Sequence, residues 1–226
     1  MGKIVAIIPA RGNSKRLPRK NILQLNGRPL ITYAIDAAIK SCLFDEVVVS
    51  TEDLEIRKIA ERHGAKTIVR PQKLSKDNVG VSDVCTHILL QGQYAQVKSF
   101  CCIYPTAVFI TSKVLNDSYS LLESKEVDVV MGVSEFNHYP VQALIEKDNY
   151  LAYMWPDWQN KRSQEYPKLC VSNGTFYWCN AKSFRKKPSF YPTKLLGFNC
   201  HAIDIDTQDD FNHLVATFDK DQNKGT

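Results

Sequence analysis

"KIVAIIPARGNSKRLPRKN", Lys3 to Asn21, runs an apolar, β-branched segment straight into a loop that carries Arg11, Lys15, Arg16, Arg19 and Lys20. Crowded like charges repel one another, and the repulsion is relieved by solvent or by a bound anion. The apolar half reads as a buried first strand, so the charges are delivered to its carboxyl end. In open α/β sheets that edge is where loops and helix N-termini present unpaired N–H groups to ligands. Gly12 lets the backbone approach an anion, Asn13 and Ser14 donate hydrogen bonds, and Pro18 stiffens the second half. The pattern suits a polyphosphate cradle, although the GxxxxGK[ST] spacing of a Walker A loop is absent.

Outward from this stretch, short apolar runs alternate with helix-period segments, the mark of a mainly parallel sheet covered by helices. The strands expected are "KIVAII", "EVVVS", "KTIVR", "SFCCIY" and "VDVVMGV". The helices expected between them are "PLITYAIDAAIKS", "EDLEIRKIAERHG" closing on Gly64, and "SDVCTHILLQGQ" capped by Ser82. Near residue 136 the rhythm changes to segments rich in Tyr, Trp, Pro, Asn and Gln, with a hairpin turn at Asp148-Asn149. The α/β pattern resumes with "TFYW", "NAKSFRK" and "CHAIDID", and Thr207 caps a last helix. The organisation expected is an α/β domain over 1–135 and 173–218, an inserted β arm over 136–172 and a frayed tail over 219–226.

The 226 residues are 44% hydrophobic and 23% charged, as in an ordinary folded domain. A net charge of +5, from 29 basic and 24 acidic residues, is too balanced to mark a nucleic-acid binder. No apolar run approaches the roughly 20 residues of a membrane span. The expectation is therefore a cytoplasmic protein with neither nucleic acid nor membrane as its partner. Its seven cysteines are irregularly spaced with no CxxC pair, and read as reduced core thiols. The five histidines are scattered and mark no site.

The second site element is "AIDIDTQDDF", from Ala202 to Phe211. In an extended strand Asp204 and Asp206 point to one face, and two adjacent carboxylates are unfavourable unless a cation lies between them. Hard oxygen ligands of this kind suit Mg2+, which also binds substrate phosphates. The alternative is that one of them caps the following helix. A basic loop with an acidic pair points to phosphoryl or nucleotidyl transfer, where catalysis is mostly positioning and charge neutralisation. A solvated loop or a nucleic-acid patch is the competing reading; the loop lacks the aromatic residues that single-strand binding uses.

The opening motif, followed in order by "LFDEVVVSTEDLEI", "RPQKLSKDNVGVSDV", "CCIYPTAVFI", "RSQE", "NGTFYW" and "IDIDTQDDF", resembles the cytidylyltransferases that activate nonulosonic acids. Within that group "CCIYPTA", "YPVQALI" with "RSQ", and "FYW" most resemble the pseudaminic acid enzymes. "SNGTFYW", Ser172 to Trp178, departs from that subgroup and looks more like the sialic and legionaminic acid enzymes. The resemblance to 3-deoxy-manno-octulosonate cytidylyltransferases is poorer.

The resemblance implies a Rossmann-like nucleotidyltransferase fold, CTP and a nonulosonic acid as substrates, Mg2+ as cofactor and a homodimer built through the arm. It makes Arg11, Lys20 and Asp206 the catalytic residues. Arg11, Gly12, Ser14, Lys15, Lys20, Asn21, Arg70, Ser82 and Thr106 would hold the nucleotide. Asp204 and Asp206 would bind the metal. Arg162, Gln164, Asn173, Phe176 and Tyr177 are the expected sugar contacts, Arg162 gripping the carboxylate and reaching the partner subunit's site.

Overall fold

The structure, a computed structural model, describes residues 2–222, with side chains through residue 220. Strand β1 (Lys3–Pro9) leads through the basic loop to a two-strand ribbon, β2 (Gln24–Leu25) and β3 (Arg28–Pro29), and then to α1 (Leu30–Lys40). Next come β4 (Glu46–Thr51), α2 (Leu54–Arg62), β5 (Lys66–Val69), α3 (Val81–Leu89) and β6 (Val97–Ile103). Helix α4 (Ser112–Ser124) and β7 (Val129–Glu135) precede an outlying hairpin, β8 (Leu144–Lys147) with β9 (Tyr150–Tyr153). The chain ends with β10 (Cys170–Asn180), α5 (Ala181–Lys186), β11 (Leu195–Asn199) and α6 (Gln208–Gln222).

The main sheet has seven strands in the order β11-β7-β10-β6-β1-β4-β5. Strand β10 runs antiparallel to both neighbours, and the other pairings are parallel. Helices cover both faces, which is why the strands read as unbroken apolar runs. Ala6, Ile8, Val49, Cys101, Phe176 and Trp178 pack on one face. Val5, Ile7, Val48, Cys102, Tyr177 and Cys179 pack on the other. Adjacent Cys101 and Cys102 thus point to opposite faces, and all seven cysteines are free thiols. A third cluster, with Leu17, Leu25, Leu30, Ile205, Leu214 and Phe218, ties the opening loop and the ribbon to α6.

The five strands and three helices expected before residue 136 are present. Gly64 ends α2 at φ +83°, and Asp148 and Asn149 make the hairpin turn at φ +54° and +65°, the left-handed pair that a tight right-twisted hairpin needs. Four details differ from expectation. Helix α3 starts at Val81 after Gly80, whose N–H donates to Asp83 Oδ2 at 3.1 Å, so Ser82 lies inside the first turn and caps nothing. The segment 200–206 forms no strand, although Cys200 N–H still bonds to Val133 O of β7 at 3.2 Å; the last strand is β11.

Helix α4 lies outside the expected set. Its buried stripe is Leu115, Ser118 and Leu122, and the serine interrupts the apolar pattern. Inside the fold Ser118 Oγ accepts the indole N–H of fully buried Trp178 at 3.1 Å. The tail also differs: α6 continues through 219–222, where Asp219 accepts a hydrogen bond from Asn26 at 3.0 Å, and 223–226 lie outside the described residues.

Candidate active site

A cleft of about 540 Å³ opens at the carboxyl ends of β1 and β6, within the usual size of a small-molecule site. Arg11, Ser14, Lys15, Lys20, Asn21, Arg70, Thr106 and Asp206, all expected site residues, line it. The opening loop leaves β1 with Ala10 N–H bonded to Ser50 O at 3.0 Å. Its far end turns at Arg19, in the left-handed region at φ +58°, and Arg19 pairs with Asp53 and Glu55 at the start of α2. Arg19 is therefore a clamp for the loop, and the remaining cations are left to face the cleft. Buried Asn21 donates to Arg11 O at 2.9 Å, which fixes the backbone from which Arg11 projects.

Lys20 joins the two elements that the sequence separates most widely. Its Nζ donates to Ile205 O at 2.6 Å and to Asp206 Oδ1 at 3.0 Å, while Arg16 approaches Asp206 Oδ2 at 2.7 Å. Ile205 is fully buried in the third cluster, so the residues on either side of it project outward. Asp204 is raised from its ordinary value, by desolvation first and by the Asp206 carboxylate second. Two crowded carboxylates of this kind are relieved by a divalent cation, and a cation such as Mg2+ completes its shell with phosphate oxygens and water. Among the described residues no group of three or more His, Cys, Asp or Glu converges on a metal position. Asp206 lines the cleft with both oxygens paired to Lys20 and Arg16, whereas Asp204 lines a small adjoining cavity with Thr106 and Asn173, so a cation held by both carboxylates would sit at the edge of the cleft.

Arg70 is 5% exposed and is held by Ser50, through Nη2 to the carbonyl at 2.6 Å and Nε to Oγ at 3.3 Å. Burial lowers its guanidinium pKa from the ordinary value. Thr207 and Asp210 cap α6 reciprocally: Asp210 Oδ2 accepts from the N–H groups of Asp206 and Thr207 at 3.0 and 2.7 Å, and Asp210 N–H donates to Thr207 Oγ1 at 3.2 Å. Asp210 thereby holds the backbone of Asp206.

Several expected site residues are placed elsewhere. Gly12 is not a free anion donor, because its N–H bonds to Glu52 Oε1 at 2.8 Å; a Cβ there would meet Asp53 Oδ2 at 2.5 Å. Ser82 does not line the cleft. Phe176 is fully buried and Tyr177 is 5% exposed, since β10 is a central strand with both faces covered. In this chain they are core residues and do not line the cleft. Asn173 uses its amide inside the fold, donating to Ser134 Oγ at 3.2 Å and Cys200 O at 3.0 Å and accepting from Thr175 N–H at 3.3 Å. Arg162 and Gln164 are exposed on the segment between β9 and β10 and do not line this chain's cleft.

The cleft also holds residues that lie within the quoted motifs but were not among the expected site residues: Arg16, Lys76, Asp77 and Tyr104, with Leu74, Val79, Val81 and Val84 as an apolar wall. Tyr104 follows the carboxyl end of β6, the position where α/β sheets place ligand contacts. Burial, with Cys102 and Tyr177 nearby, pushes its hydroxyl up, so it remains a neutral donor.

The model of the cytidylyltransferase family matches residues 5–170. Among similar proteins is the pseudaminic acid cytidylyltransferase of Campylobacter jejuni subsp. jejuni serotype O:2, 37% identical over 187 residues, which are 80% of each chain. The N-acylneuraminate cytidylyltransferase of Streptococcus agalactiae serotype V is 30% identical over 95% of this chain and 53% of its own. In fold, the chain superposes on CMP:2-keto-3-deoxy-manno-octonic acid synthetase, solved with CTP, at a TM-score of 0.70 and 16% identity, covering 97% of this chain and 99% of that one. With this match across most of its length, the chain belongs to the cytidylyltransferase family and is a CTP-dependent nucleotidyltransferase.

Proposed function

We propose that the chain transfers CMP from CTP to the anomeric hydroxyl of a nonulosonic acid, pseudaminic acid first among them. A bond forms between the anomeric oxygen and the α-phosphorus. The bond from that phosphorus to the bridging oxygen breaks, pyrophosphate leaves, and the hydroxyl proton passes to solvent. The observation that carries this reading is Lys20 held between Ile205 O and Asp206 in a cleft lined by Arg11, Lys15 and Arg70. Arg11 and Lys15 bind the triphosphate, and Lys20 meets charge developing as pyrophosphate leaves. Ser14, Asn21 and Thr106 line the nucleotide's path. Bound at Asp204 and Asp206, Mg2+ would neutralise charge on the phosphate oxygens.

The choice of pseudaminic acid is supported by the name of the C. jejuni relative and by the "CCIYPTA" and "YPVQALI" segments. A second reading, an N-acylneuraminate or legionaminate enzyme, is favoured by "SNGT" at Ser172 to Thr175 and by the name of the streptococcal relative. In either case Arg162 and Gln164, exposed on the arm, serve the sugar site of a partner subunit in a homodimer. The proposal places the enzyme in the cytoplasm; among the described residues no helix is long and apolar enough to cross a membrane.

The test is pyrophosphate release with CTP and Mg2+, run separately with pseudaminic, legionaminic and N-acetylneuraminic acids and with no sugar. Release with pseudaminic acid alone supports the first reading, and release with either of the others alone supports the second. Silence with all three, from protein that binds CTP, overturns both sugar assignments.

A further inference from the structure

Two cations of the cleft, Arg11 and Lys15, are already matched by an acid from another loop. Asp77, in the segment between β5 and α3, places Oδ1 2.7 Å from Arg11 Nη1 and Oδ2 2.5 Å from Lys15 Nζ. One carboxylate thus bridges two cations through separate oxygens, the manner in which a phosphate uses its non-bridging oxygens. The same segment makes a second tie: Glu52 accepts Gly12 N–H at 2.8 Å with one oxygen and Ser75 Oγ at 3.0 Å with the other. The opening loop and the segment carrying Asp77 are therefore fastened to one another by acids at two points, of which the Asp77 tie lies in the cleft.

Charge explains why an acid belongs there. Arg11, Lys15, Arg16, Lys20, Arg70 and Lys76 line the cleft, with Asp77 and Asp206 as its acids. Without Asp77 the Arg11 and Lys15 side chains would repel each other and their neighbours. The tie is also built to be exchanged. The side chains of Asp77 and Lys15 are 47% and 82% exposed, against 33% and 19% for Asp206 and Lys20. Exposed pairs are weak, and a polyanion outcompetes a single carboxylate for them.

Resting on the cytidylyltransferase reading, we propose that Asp77 is an internal stand-in for nucleotide phosphate. It occupies Arg11 and Lys15 until the triphosphate displaces it, and so sets the affinity for ligands that carry a polyphosphate. Displacement releases the 71–80 segment from the opening loop at Asp77. The cost of displacing the carboxylate falls only on ligands whose phosphates reach Arg11 and Lys15.

The experiment is calorimetric titration of CTP, pyrophosphate and cytidine into the wild-type chain, Asp77→Asn and Asp77→Glu, with circular dichroism as the check on fold. Asp77→Asn is expected to bind CTP and pyrophosphate about fivefold more tightly, the scale of one exposed ion pair, with cytidine unchanged. Asp77→Glu keeps the charge and is expected to stay within about twofold of wild type. Unchanged or weaker pyrophosphate binding by Asp77→Asn overturns the proposal, because Asp77 would then be holding Arg11 and Lys15 in place for the bound nucleotide. A wild-type chain that binds neither CTP nor pyrophosphate sinks the functional reading beneath it, so the two failures are distinguishable.

Discussion

Lys20 and Asp206, 186 residues apart in sequence, meet at 3.0 Å, with Lys20 bonded at the same time to the carbonyl of Ile205. The ammonium is thus fixed at two points beside the acidic pair. Lys20→Ala removes a positioned charge from the cleft, and turnover should fall by about 100-fold, the usual scale for losing one preorganised donor. Pyrophosphate release at saturating CTP measures it, with circular dichroism unchanged. Turnover within a few-fold of wild type would remove Lys20 from the mechanism.

Asp206→Asn keeps an acceptor for Lys20 and Arg16 but removes the charge a divalent cation requires. The Mg2+ concentration for half-maximal rate should rise by about tenfold or more. A titration of rate against Mg2+ reads this directly. An unchanged half-point would place the metal elsewhere.

Both of these residues were legible in the sequence because each stands in a local pattern: a basic loop after a first strand, and paired aspartates before a capped helix. Asp77 and Glu52 were not, because an acid's partner across a cleft leaves no mark at short range. The "FYW" aromatics misled for a related reason. Their motif reads as a recognition element, but β10 is central and covered on both faces, so Phe176, Tyr177 and Trp178 are all buried. Helix α4 escaped because its central inward residue, Ser118, is polar and finds its reason only in Trp178.

Asp53 should make stability depend on pH. Desolvation works to raise its pKa, but the Ile56 N–H, the Arg19 guanidinium and the Glu55 N–H outweigh it and hold the carboxyl below its ordinary value. A folded-state pKa below the unfolded one means that the stabilisation is complete above the unfolded value, about 3.9, and is lost as pH falls through the folded one. Asp53→Asn keeps the α2 cap and loses the charge, so urea midpoints from pH 7 to 3 should fall less steeply than in wild type. Asp53→Ala loses the cap as well and should cost about 1 kcal/mol at pH 7.

Gly12 is needed for close approach and not for a left-handed backbone. A Cβ at this position would stand 2.5 Å from Asp53 Oδ2 and 2.8 Å from Asp53 Cβ. Asp53 cannot withdraw without giving up Arg19 and the N–H groups of α2. Gly12→Ala should therefore weaken CTP binding by about tenfold or more through displacement of the loop, although Gly12 itself donates to Glu52. Calorimetric CTP affinity tests this, and wild-type affinity would show that the loop yields without cost.

The β8–β9 hairpin is a two-stranded sheet separate from the main one. Isolated two-stranded ribbons are marginal in water, and this one leaves Leu144, Ile145, Tyr150, Leu151, Met154 and Trp155 between 41% and 78% exposed. An exposed apolar cluster of that kind is what an interface between two copies requires, and apolar cover from a second chain would stabilise the ribbon. Leu151→Asp places a charge at its centre without touching the main core. Sedimentation velocity should show a dimer for wild type and monomer for the variant at micromolar concentration. If Arg162 completes the partner's sugar site, the variant's KM for the sugar should rise while CTP affinity stays at the wild-type value. A monomeric wild type with full activity would confine the whole site to one chain and leave Arg162 without a role.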